Sequence, residues 1–222
     1  MSKDLLLYAL FCIVIPYLLG SLSFSILVSR LLYGKDIRQF GSGNAGMTNV
    51  LRTFGKKAAA LTIVGDSGKG VAAVLLARWF FGTNFNDAVY FRGEILGVYL
   101  AALFAVIGHV YPVYFGFKGG KAVSVATGTI LAINPLLAIP LLVIFAAVFL
   151  WGKMVSLASV CCAMAYPLVT FVYYRFGTAG DAGDVATATL GALLVGALVV
   201  WLHRGNLRRI KNGTEYKFLQ KK

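Results

Sequence analysis

Three short polar segments hold the residues of this chain whose types and spacing suit chemistry. The first runs from Gly41 to Arg52 and reads GSGNAGMTNVLR. Its glycines leave the backbone free to turn N–H groups toward an anion, and its amide, hydroxyl and guanidinium groups add donors that suit phosphate. We therefore expect a phosphate-binding loop whose ligands are Gly41, Gly43, Asn44, Thr48, Asn49 and Arg52.

The other two segments combine small or polar residues with single positive charges. Segment 117–124 reads FKGGKAVS, and the C-terminal region opens with HRGN at 203–206. In segment 117–124 the paired glycines permit close backbone approach and the following lysine supplies a point charge, although a flexible turn between helices has the same composition. The candidate residues of these two segments are Gly119, Gly120, Lys121, His203, Arg204 and Asn206.

Other motif interpretations of these segments fail on their context. The GxGxxG pattern that begins at Gly41 marks a dinucleotide site only between a strand and a helix, whereas an apolar run precedes it here. A nucleotide phosphate loop needs a glycine where Phe115 stands and a hydroxyl residue where Ala122 stands. The motifs GxSxG, HExxH and HxxxxD and paired carboxylates are also missing, so no metal, nucleotide or other cofactor is expected. An enzyme built from these residues would work by positioning and charge stabilisation.

The elements that must position these segments are apolar helices. The 222 residues are 59% hydrophobic with a mean hydropathy of +0.80, and the apolar residues are gathered into blocks, which is typical of a polytopic membrane protein. The excess of 21 Lys and Arg over 8 Asp and Glu follows the positive-inside rule, and no basic patch outside the apolar runs is large enough to make nucleic acid a partner. Cys12, Cys161 and Cys162 lie in apolar runs and are expected to be small core residues.

The lengths of the apolar runs fix the predicted topology. Runs at about 5–28, 58–81, 95–116, 154–174 and 185–202 each approach the ~20 residues of a membrane-crossing helix. The stretch 122–150 is too long for one upright span, and Asn134-Pro135 breaks it. If it crosses twice, 16 of the 21 basic residues collect on one face, which is then cytoplasmic.

We therefore predict an all-α polytopic membrane protein with seven transmembrane helices, the N-terminus outside and the C-terminus in the cytoplasm. The chain forms a single membrane domain over 1–222. Its cytoplasmic segments are about 34–57, 117–124 and 203–218, so all three polar segments share one face.

A few polar residues lie inside or at the ends of the predicted spans. Asp66 and Lys69 share one helix face, and they form either a self-neutralising structural pair or a polar cavity in which Lys69 meets substrate. His109 is either a packing residue or a direct participant. Ser159, six residues after Lys153, either faces substrate or bonds to its own helix backbone.

Ordered motifs along nearly the whole chain resemble those of one family. They are GKDIR at 34–38, GSGNAGMTNVLR at 41–52, DSGKG at 66–70, GH at 108–109 followed by Pro112, GFKGGKAV at 116–123, and HRGNLRRIKNGTEYKF at 203–218. On these motifs the chain resembles the bacterial acyl-phosphate:glycerol-3-phosphate acyltransferases. It departs from the family pattern at Ser23, Met47 and Ser124-Val125, which neighbour the polar positions.

The resemblance implies an integral enzyme of the bacterial inner membrane whose active site faces the cytoplasm. Such an enzyme transfers a fatty acyl group from acyl phosphate to the sn-1 hydroxyl of glycerol 3-phosphate, which gives lysophosphatidic acid in the first step of phospholipid synthesis. The family uses no acyl-enzyme, and a substrate phosphate serves as the base. The expected partners are acyl phosphate, glycerol 3-phosphate, the lipid bilayer and the enzyme that forms the acyl phosphate.

Together with the residue chemistry, the resemblance gives each segment a role. Ser42, Asn44, Thr48 and Arg52 are expected to hold the acyl phosphate or its departing phosphate, while Lys121, His203 and Asn206 hold glycerol 3-phosphate and orient its hydroxyl. The predicted catalytic residues are Ser42, Arg52, Lys121, His203 and Asn206. The predicted substrate-binding residues are Gly41, Gly43, Asn44, Thr48, Asn49, Lys69, Gly119, Gly120, Ser159 and Arg204.

Two other classes of protein stay open on the sequence. A phosphate or organophosphate transporter also needs basic residues at a cytoplasmic mouth, but it should carry polar residues through several spans, and only Asp66 and Lys69 lie deep here. A noncatalytic lipid-binding scaffold would tolerate replacement of Lys121 or Arg52.

Overall fold

Helices and the loops between them make up the described chain. The computed structural model describes residues 3–84, 87–178 and 180–218, and their side chains except over 3–5 and 82–92. Within those ranges the regular elements are α-helices, 3-10 turns and one π-helical turn, with no β-strand, which confirms the all-α prediction. Packing divides the chain into two compact units, Met1–Ile133 and Asn134–Lys222. The single membrane domain expected from the sequence stays a prediction.

The first unit begins with a long apolar segment that is interrupted in its middle. Helices α1 (Lys3–Ala9) and α2 (Ile15–Gly20) are joined by a π-helical turn, Leu10–Val14, and α3 (Phe24–Tyr33) follows after a break at 21–23. Ser21 and Ser23 in the break are fully buried. Because backbone N–H and C=O groups at membrane depth need partners, neighbouring helices must supply hydrogen bonds to the backbone at such a break.

The remaining helices of the first unit support two loops. Gly34 ends α3 in the left-handed conformation, with φ 62°, as a C-terminal glycine commonly does. The elements that follow are a 3-10 turn (Ile37–Gln39), α4 (Met47–Phe54), α5 (Lys56–Asn84), α6 (Asp87–Val110), a second 3-10 turn (Val113–Phe115) and α7 (Val123–Ile133).

Glycines allow α5 and α7 to cross at backbone contact. Gly70 of α5 lies against the main chain of α7 at Val125, and Gly128 of α7 lies against the main chain of α5 at Ser67. Ser67 Oγ also donates to the carbonyl oxygen of Ser124 at 3.0 Å. In lipid, where burial of apolar surface does not drive helix association, close backbone approach and such hydrogen bonds hold helices together. The close packing of α5 against α7 therefore stabilises the end of the loop that precedes α7.

The second unit contains α8 (Pro135–Gly152), α9 (Val155–Phe176), α10 (Ala182–Leu202) and α11 (Arg204–Lys211). Helix α8 begins at the predicted break, because Asn134 Oδ1 accepts from Leu136 N–H at 2.9 Å and Pro135 occupies the first helical position. Gly196 brings α10 against the main chain of α9 at Ala163.

Six helical segments in the described part of the chain are long and apolar enough to cross a membrane. They are Leu6–Tyr33, Lys56–Phe81, Gly93–Phe115, Pro135–Gly152, Val155–Phe176 and Ala182–Leu202. Helix α7 is also apolar but has only 11 residues, so it extends over about 16 Å, roughly half of a hydrocarbon core. The break at Asn134-Pro135 is confirmed, whereas the count of seven spans and the orientation of the termini stay predictions.

Candidate functional site

The loop at residues 41–46, here called the Gly41 loop, is folded around the buried side chain of Asn49. Asn49 Oδ1 accepts from Ser42 N–H at 3.0 Å. Gly41 has φ 57° and lies so close to that oxygen that no Cβ would fit. Asn49 Nδ2 donates to the carbonyl oxygens of Ile37, Phe40 and Asn44 at 3.3, 2.9 and 3.1 Å. Asn49 therefore shapes the loop, and the direct phosphate contact expected of it stays a prediction.

Several backbone N–H groups of the Gly41 loop are already hydrogen-bonded within the protein. Those of Gly43 and Gly46 donate to the carbonyl oxygens of Phe40 and Asn44 at 3.0 Å each, so the anion contact expected of the loop glycines stays a prediction. The first N–H groups of α4, at Met47 and Thr48, have no acceptor within their own helix, and the positive end of the helix dipole favours an anion there. An anion at this loop is therefore better served by the first turn of α4.

Helix α4 separates a buried face from a polar face. Asn49 and Val50 are buried, whereas Arg52 is exposed. Thr48 and Arg52 are four residues apart, so they share one face of the helix. These two predicted ligands are therefore brought together.

The second loop, residues 116–122, is here called the Gly-Gly-Lys loop and lies against the end of α6. The N–H groups of Gly119 and Gly120 donate to the carbonyl oxygens of Val110 and His109 at 3.1 and 3.2 Å. A Cβ at Gly120 would overlap both His109 Nε2 and the carbonyl oxygen of Ala45. The structure thus brings the Gly-Gly-Lys loop and the Gly41 loop into contact, and the close approach requires glycine.

Non-glycine residues with positive φ mark both sides of the predicted lysine. Phe117 and Ala122 each have φ 58°. Residues other than glycine enter this region rarely, and they cluster at functional sites. Ala122 is also buried and directly precedes α7. Its conformation fixes the direction of the chain immediately after Lys121.

Arg38, which the sequence analysis did not single out, ties the second loop to the 3-10 turn before the Gly41 loop. Its Nη1 donates to the carbonyl oxygens of Phe115 and Lys118 at 2.7 and 3.2 Å, and its Nη2 donates to Asp36 at 2.8 Å. The Arg38 hydrogen bond is the largest cause that holds the pKa of Asp36 well below its usual range. Arg30 adds a second ion pair to Asp36 at 2.8 Å. The sequence signal for Arg38 was the motif GKDIR, in which the carboxylate of Asp36 stands between two basic residues.

Asp66, Lys69 and His109 form a polar network inside the first unit. Lys69 Nζ lies 3.0 Å from Asp66 Oδ1 and 3.0 Å from His109 Nδ1. Their side chains are only 1–3% exposed. The two deep charges therefore neutralise each other, and they contact a histidine at the base of the Gly-Gly-Lys loop.

The same charged pair forms hydrogen bonds to the backbone at the break between α2 and α3. Lys69 Nζ donates to the carbonyl oxygens of Gly20 and Leu22 at 2.8 and 2.6 Å, and Asp66 Oδ1 accepts from Phe24 N–H at 3.3 Å. The cation thus meets the C-terminal end of α2 and the anion meets the N-terminal end of α3, as the helix dipoles favour. This geometry matches the structural alternative, and the substrate contact of Lys69 stays a prediction.

In the second unit, Glu215 binds donors from α9 and α11. Its Oε1 accepts from Ser156 Oγ at 2.8 Å and from Asn206 Nδ2 at 2.7 Å, while its Oε2 accepts from Arg209 Nε at 2.8 Å. Burial of the carboxylate raises the pKa of Glu215, but the hydrogen bonds from Asn206, Ser156 and Arg209 outweigh it and leave the pKa below its ordinary value. Glu215, which sequence reasoning missed, therefore orients the amide of the predicted catalytic residue Asn206.

The other predicted residues of this unit lie at the end of α10, on α11 and on α9. His203 is 3% exposed, and its Nδ1 donates to the carbonyl oxygen of Val199 at 2.8 Å. Ser159 Oγ donates to the carbonyl oxygen of Val155 at 2.8 Å, which is the backbone bond that one alternative foresaw. The guanidinium of Arg204 lies 4.1 Å from the centre of the Trp201 indole. Their substrate contacts stay predictions.

Glu215→Gln is expected to lower the melting temperature at pH 7 by about 5 °C, because one of two strong acceptors for charged and amide donors is lost. The folded-state pKa of Glu215 lies below its ordinary value of 4.5, so its stabilisation is complete above that value and disappears as the pH falls through the folded pKa. The difference in melting temperature between the wild-type protein and the variant should therefore shrink below pH 4.5. Thermal unfolding in detergent from pH 7 to 3 measures it, and a constant difference would contradict the charge-dependent role.

Each unit thus gathers part of the predicted site. The first holds the Gly41 loop against the Gly-Gly-Lys loop, and the second holds Asn206 on Glu215 with His203 at the adjoining end of α10. Among the described residues, no group of three His, Cys, Asp or Glu side chains is arranged to bind a metal ion. Fold and loops together define a polytopic membrane protein whose polar groups suit phosphate compounds.

Comparison with known proteins gives the family. The family model of glycerol-3-phosphate acyltransferase matches residues 10–213. The glycerol-3-phosphate acyltransferase of Clostridioides difficile is 41% identical over 209 residues, which cover 94% of this chain and 95% of that protein. The enzyme of the same description from Aquifex aeolicus is 38% identical over 210 residues, which cover 95% and 99%. The chain belongs to the glycerol-3-phosphate acyltransferase family.

Solved structures agree with this assignment. PlsY, an integral membrane glycerol 3-phosphate acyltransferase, is known in a glycerol 3-phosphate form that matches this chain with a TM-score of 0.78 and 35% identity over 95% of both chains. Its lysophosphatidic acid form matches with a TM-score of 0.77. The predicted membrane class and acyltransferase function are therefore confirmed.

Proposed function

We propose that this protein transfers a fatty acyl group from acyl phosphate to the sn-1 hydroxyl of glycerol 3-phosphate and releases lysophosphatidic acid and inorganic phosphate. The observation that supports this most is the match to glycerol-3-phosphate acyltransferases over 94–95% of the chain. PlsY forms with glycerol 3-phosphate and with lysophosphatidic acid supply the acceptor and the product.

The reaction needs positioning more than a protein nucleophile. An acyl phosphate is an activated mixed anhydride, so the glycerol hydroxyl oxygen attacks its carbonyl carbon directly. The bond from that carbon to the phosphate oxygen breaks, the hydroxyl proton passes to a substrate phosphate, and inorganic phosphate leaves with the bonding electron pair. Alignment of the two substrates and stabilisation of the developing negative charges supply the catalysis.

We assign the donor phosphate to the Gly41 loop and α4. Thr48 and Arg52 share a helix face, and the first turn of α4 favours an anion, which supports a role for both in holding the acyl phosphate and its departing phosphate. Ser42 and Asn44 complete this assignment, with Gly41 and Gly43 allowing the turn. Asn49 contributes through the shape of the loop.

We assign glycerol 3-phosphate to Lys121, His203 and Asn206. Lys121 supplies the charge for its phosphate, and Gly119 and Gly120 permit close backbone approach. In the neutral ring of His203, Nδ1 carries the proton because it donates to Val199, so Nε2 is an acceptor suited to a substrate hydroxyl. We also assign Ser159 and Arg204 to the binding of this substrate.

We also propose that the protein resides in the bacterial inner membrane with its site facing the cytoplasm. The positive-inside rule supports this orientation, since the basic residues concentrate in the three polar segments. Acyl phosphate is the donor in this scheme, and the enzyme that forms it is the proposed partner.

The direct test gives the purified protein acyl phosphate and glycerol 3-phosphate and measures lysophosphatidic acid. The wild-type protein should form product. Lys121→Ala and Arg52→Ala should each lower kcat/KM by about 10- to 100-fold, because each removes a charged hydrogen-bond donor to phosphate. The double variant should fall to background.

Lys57→Ala is the matched control, since it removes an exposed lysine at the start of α5 and should leave activity unchanged. Lack of product from folded wild-type protein would count against the proposed reaction, and an acyl group trapped on Ser42 or Ser159 would count against direct transfer. The transporter alternative loses support because Asp66 and Lys69 bind each other and the backbone of the first segment.

A further inference from the structure

We propose that His109 is a positioning residue that holds the Gly-Gly-Lys loop and the Gly41 loop in register, and that Lys69 fixes its tautomer. The inference rests on the proposed function, because it assigns the loops to substrate phosphates. It assigns His109 and Lys69 a role in positioning the two loops, separate from any contact with substrate.

The donor and acceptor pattern around Lys69 determines the state of the His109 ring. A lysine ammonium has three donors and no acceptor. Nδ1 of His109 lies 3.0 Å from Lys69 Nζ and 3.6 Å from Asp66 Oδ1, so the ammonium is its nearer partner and Nδ1 must accept. The ring is therefore neutral, and its proton is on Nε2.

His109 contacts both loops from this fixed position. Its carbonyl oxygen accepts from Gly120 N–H at 3.2 Å. Its Nε2 and the carbonyl oxygen of Ala45 both lie where a Cβ of Gly120 would stand. One residue therefore contacts the Gly-Gly-Lys loop through main chain and side chain, at the point where the Gly41 loop also meets it. Lys121 follows directly, so a shift of the ring displaces its backbone.

The contacts that hold the His109 ring through Lys69 extend to the break between α2 and α3. Lys69 is held by the carbonyl oxygens of Gly20 and Leu22 as well as by Asp66. Because these contacts fix the position of the Lys69 ammonium group, it does not shift with the His109 ring. The loop contact is therefore built on α2, α5 and α6 together.

The second histidine of the chain provides an internal reference. His203 Nδ1 lies 2.8 Å from the carbonyl oxygen of Val199, which only accepts, so in the neutral ring the proton is on Nδ1. The two histidines are therefore expected to be opposite tautomers. Nitrogen NMR of protein labelled with 15N-histidine distinguishes them, and His109→Asn identifies the signals of His109 by their loss.

Two substitutions of His109 test the roles of its two ring nitrogens separately. His109→Asn keeps an acceptor near Nδ1 for Lys69 but removes the group beside Gly120, so it should melt close to wild-type while the KM for glycerol 3-phosphate rises about 10-fold. His109→Gln keeps an amide group near Nε2 but loses the acceptor for Lys69. It should melt at a lower temperature while its KM stays closer to wild-type.

Three results would overturn the inference. They are a His109 ring protonated on Nδ1, wild-type KM and kcat in His109→Asn, or equal losses of melting temperature and activity in both variants. The tautomer and the melting temperatures need no turnover. If the wild-type protein formed no lysophosphatidic acid, the proposed function would fail while the NMR result would still decide the state of the network.

Discussion

Gly120→Ala is expected to lower kcat/KM for lysophosphatidic acid formation by about 100-fold or more, since a displacement on the order of 1 Å at a positioned group has that effect. The added methyl group would overlap the carbonyl oxygen of Ala45 and Nε2 of His109. Neither is the end of a flexible side chain, because one is main chain and the other belongs to a ring held by Lys69. The Gly-Gly-Lys loop must therefore move away from the Gly41 loop, and Lys121 moves with it.

Gly68→Ala is the matched control for this substitution. Gly68 is exposed on α5 and has no heavy atom within 4 Å of the position of an added Cβ. Alanine is a better helix former than glycine by about 1 kcal/mol in water, so this variant should keep wild-type activity and melt at the same or a slightly higher temperature. Circular dichroism should show the same helix content in both variants. Near wild-type activity in Gly120→Ala would mean that the close contact of the loops is not required.

Local features of the site were predictable because their signals are local. The left-handed glycines at 41 and 43 and the break at Asn134-Pro135 follow from turn chemistry and from proline. Thr48 and Arg52 share a face because their spacing matches a helical turn. The all-α class followed from apolar runs of membrane length.

Residues that act over long sequence distances were not predictable from one sequence. Glu215 binds Ser156 across 59 positions, and Arg38 binds the Phe115 carbonyl across 77. The local pattern around Glu215 does not distinguish it from an ordinary charge near a membrane surface, and the GKDIR motif of Arg38 does not show which distant carbonyl oxygen it binds. The loop-shaping role of Asn49 was missed for a related reason, since the sequence does not reveal that its amide donates to the carbonyl oxygens of Ile37, Phe40 and Asn44.

The length of α7 bears on the predicted number of spans. The charge pattern required an even number of crossings between 122 and 150, yet α7 has only 11 residues. The apolar stretch that begins at 122 and the break at Asn134-Pro135 already limited this helix to residues 122–133, and the structure starts it one residue later, at Val123, after the left-handed backbone of Ala122. Hydropathy counts apolar residues and does not locate the residue at which a helix begins.

Lys69→Met is expected to destabilise the folded protein by about 3–5 kcal/mol, because removal of one partner from a buried ion pair leaves the other charge uncompensated. Lys69 and Asp66 are 2% and 1% exposed. The substitution also deprives the carbonyl oxygens of Gly20 and Leu22 of their donor at the break between α2 and α3. The melting temperature in detergent should fall by about 10 °C, and amide exchange should increase first around the break.

Lys57→Met is the matched control, because it makes the same chemical change at an exposed position on α5 and should alter the melting temperature by no more than about 1–2 °C. Asp66→Asn combined with Lys69→Met should recover part of the loss, since it removes the uncompensated charge and leaves an acceptor for Phe24 N–H. If Lys69→Met melted like its control, the charged pair would not be what completes the interrupted segment. If the double variant regained stability but not activity, the pair would be needed beyond charge balance, as its contact with His109 implies.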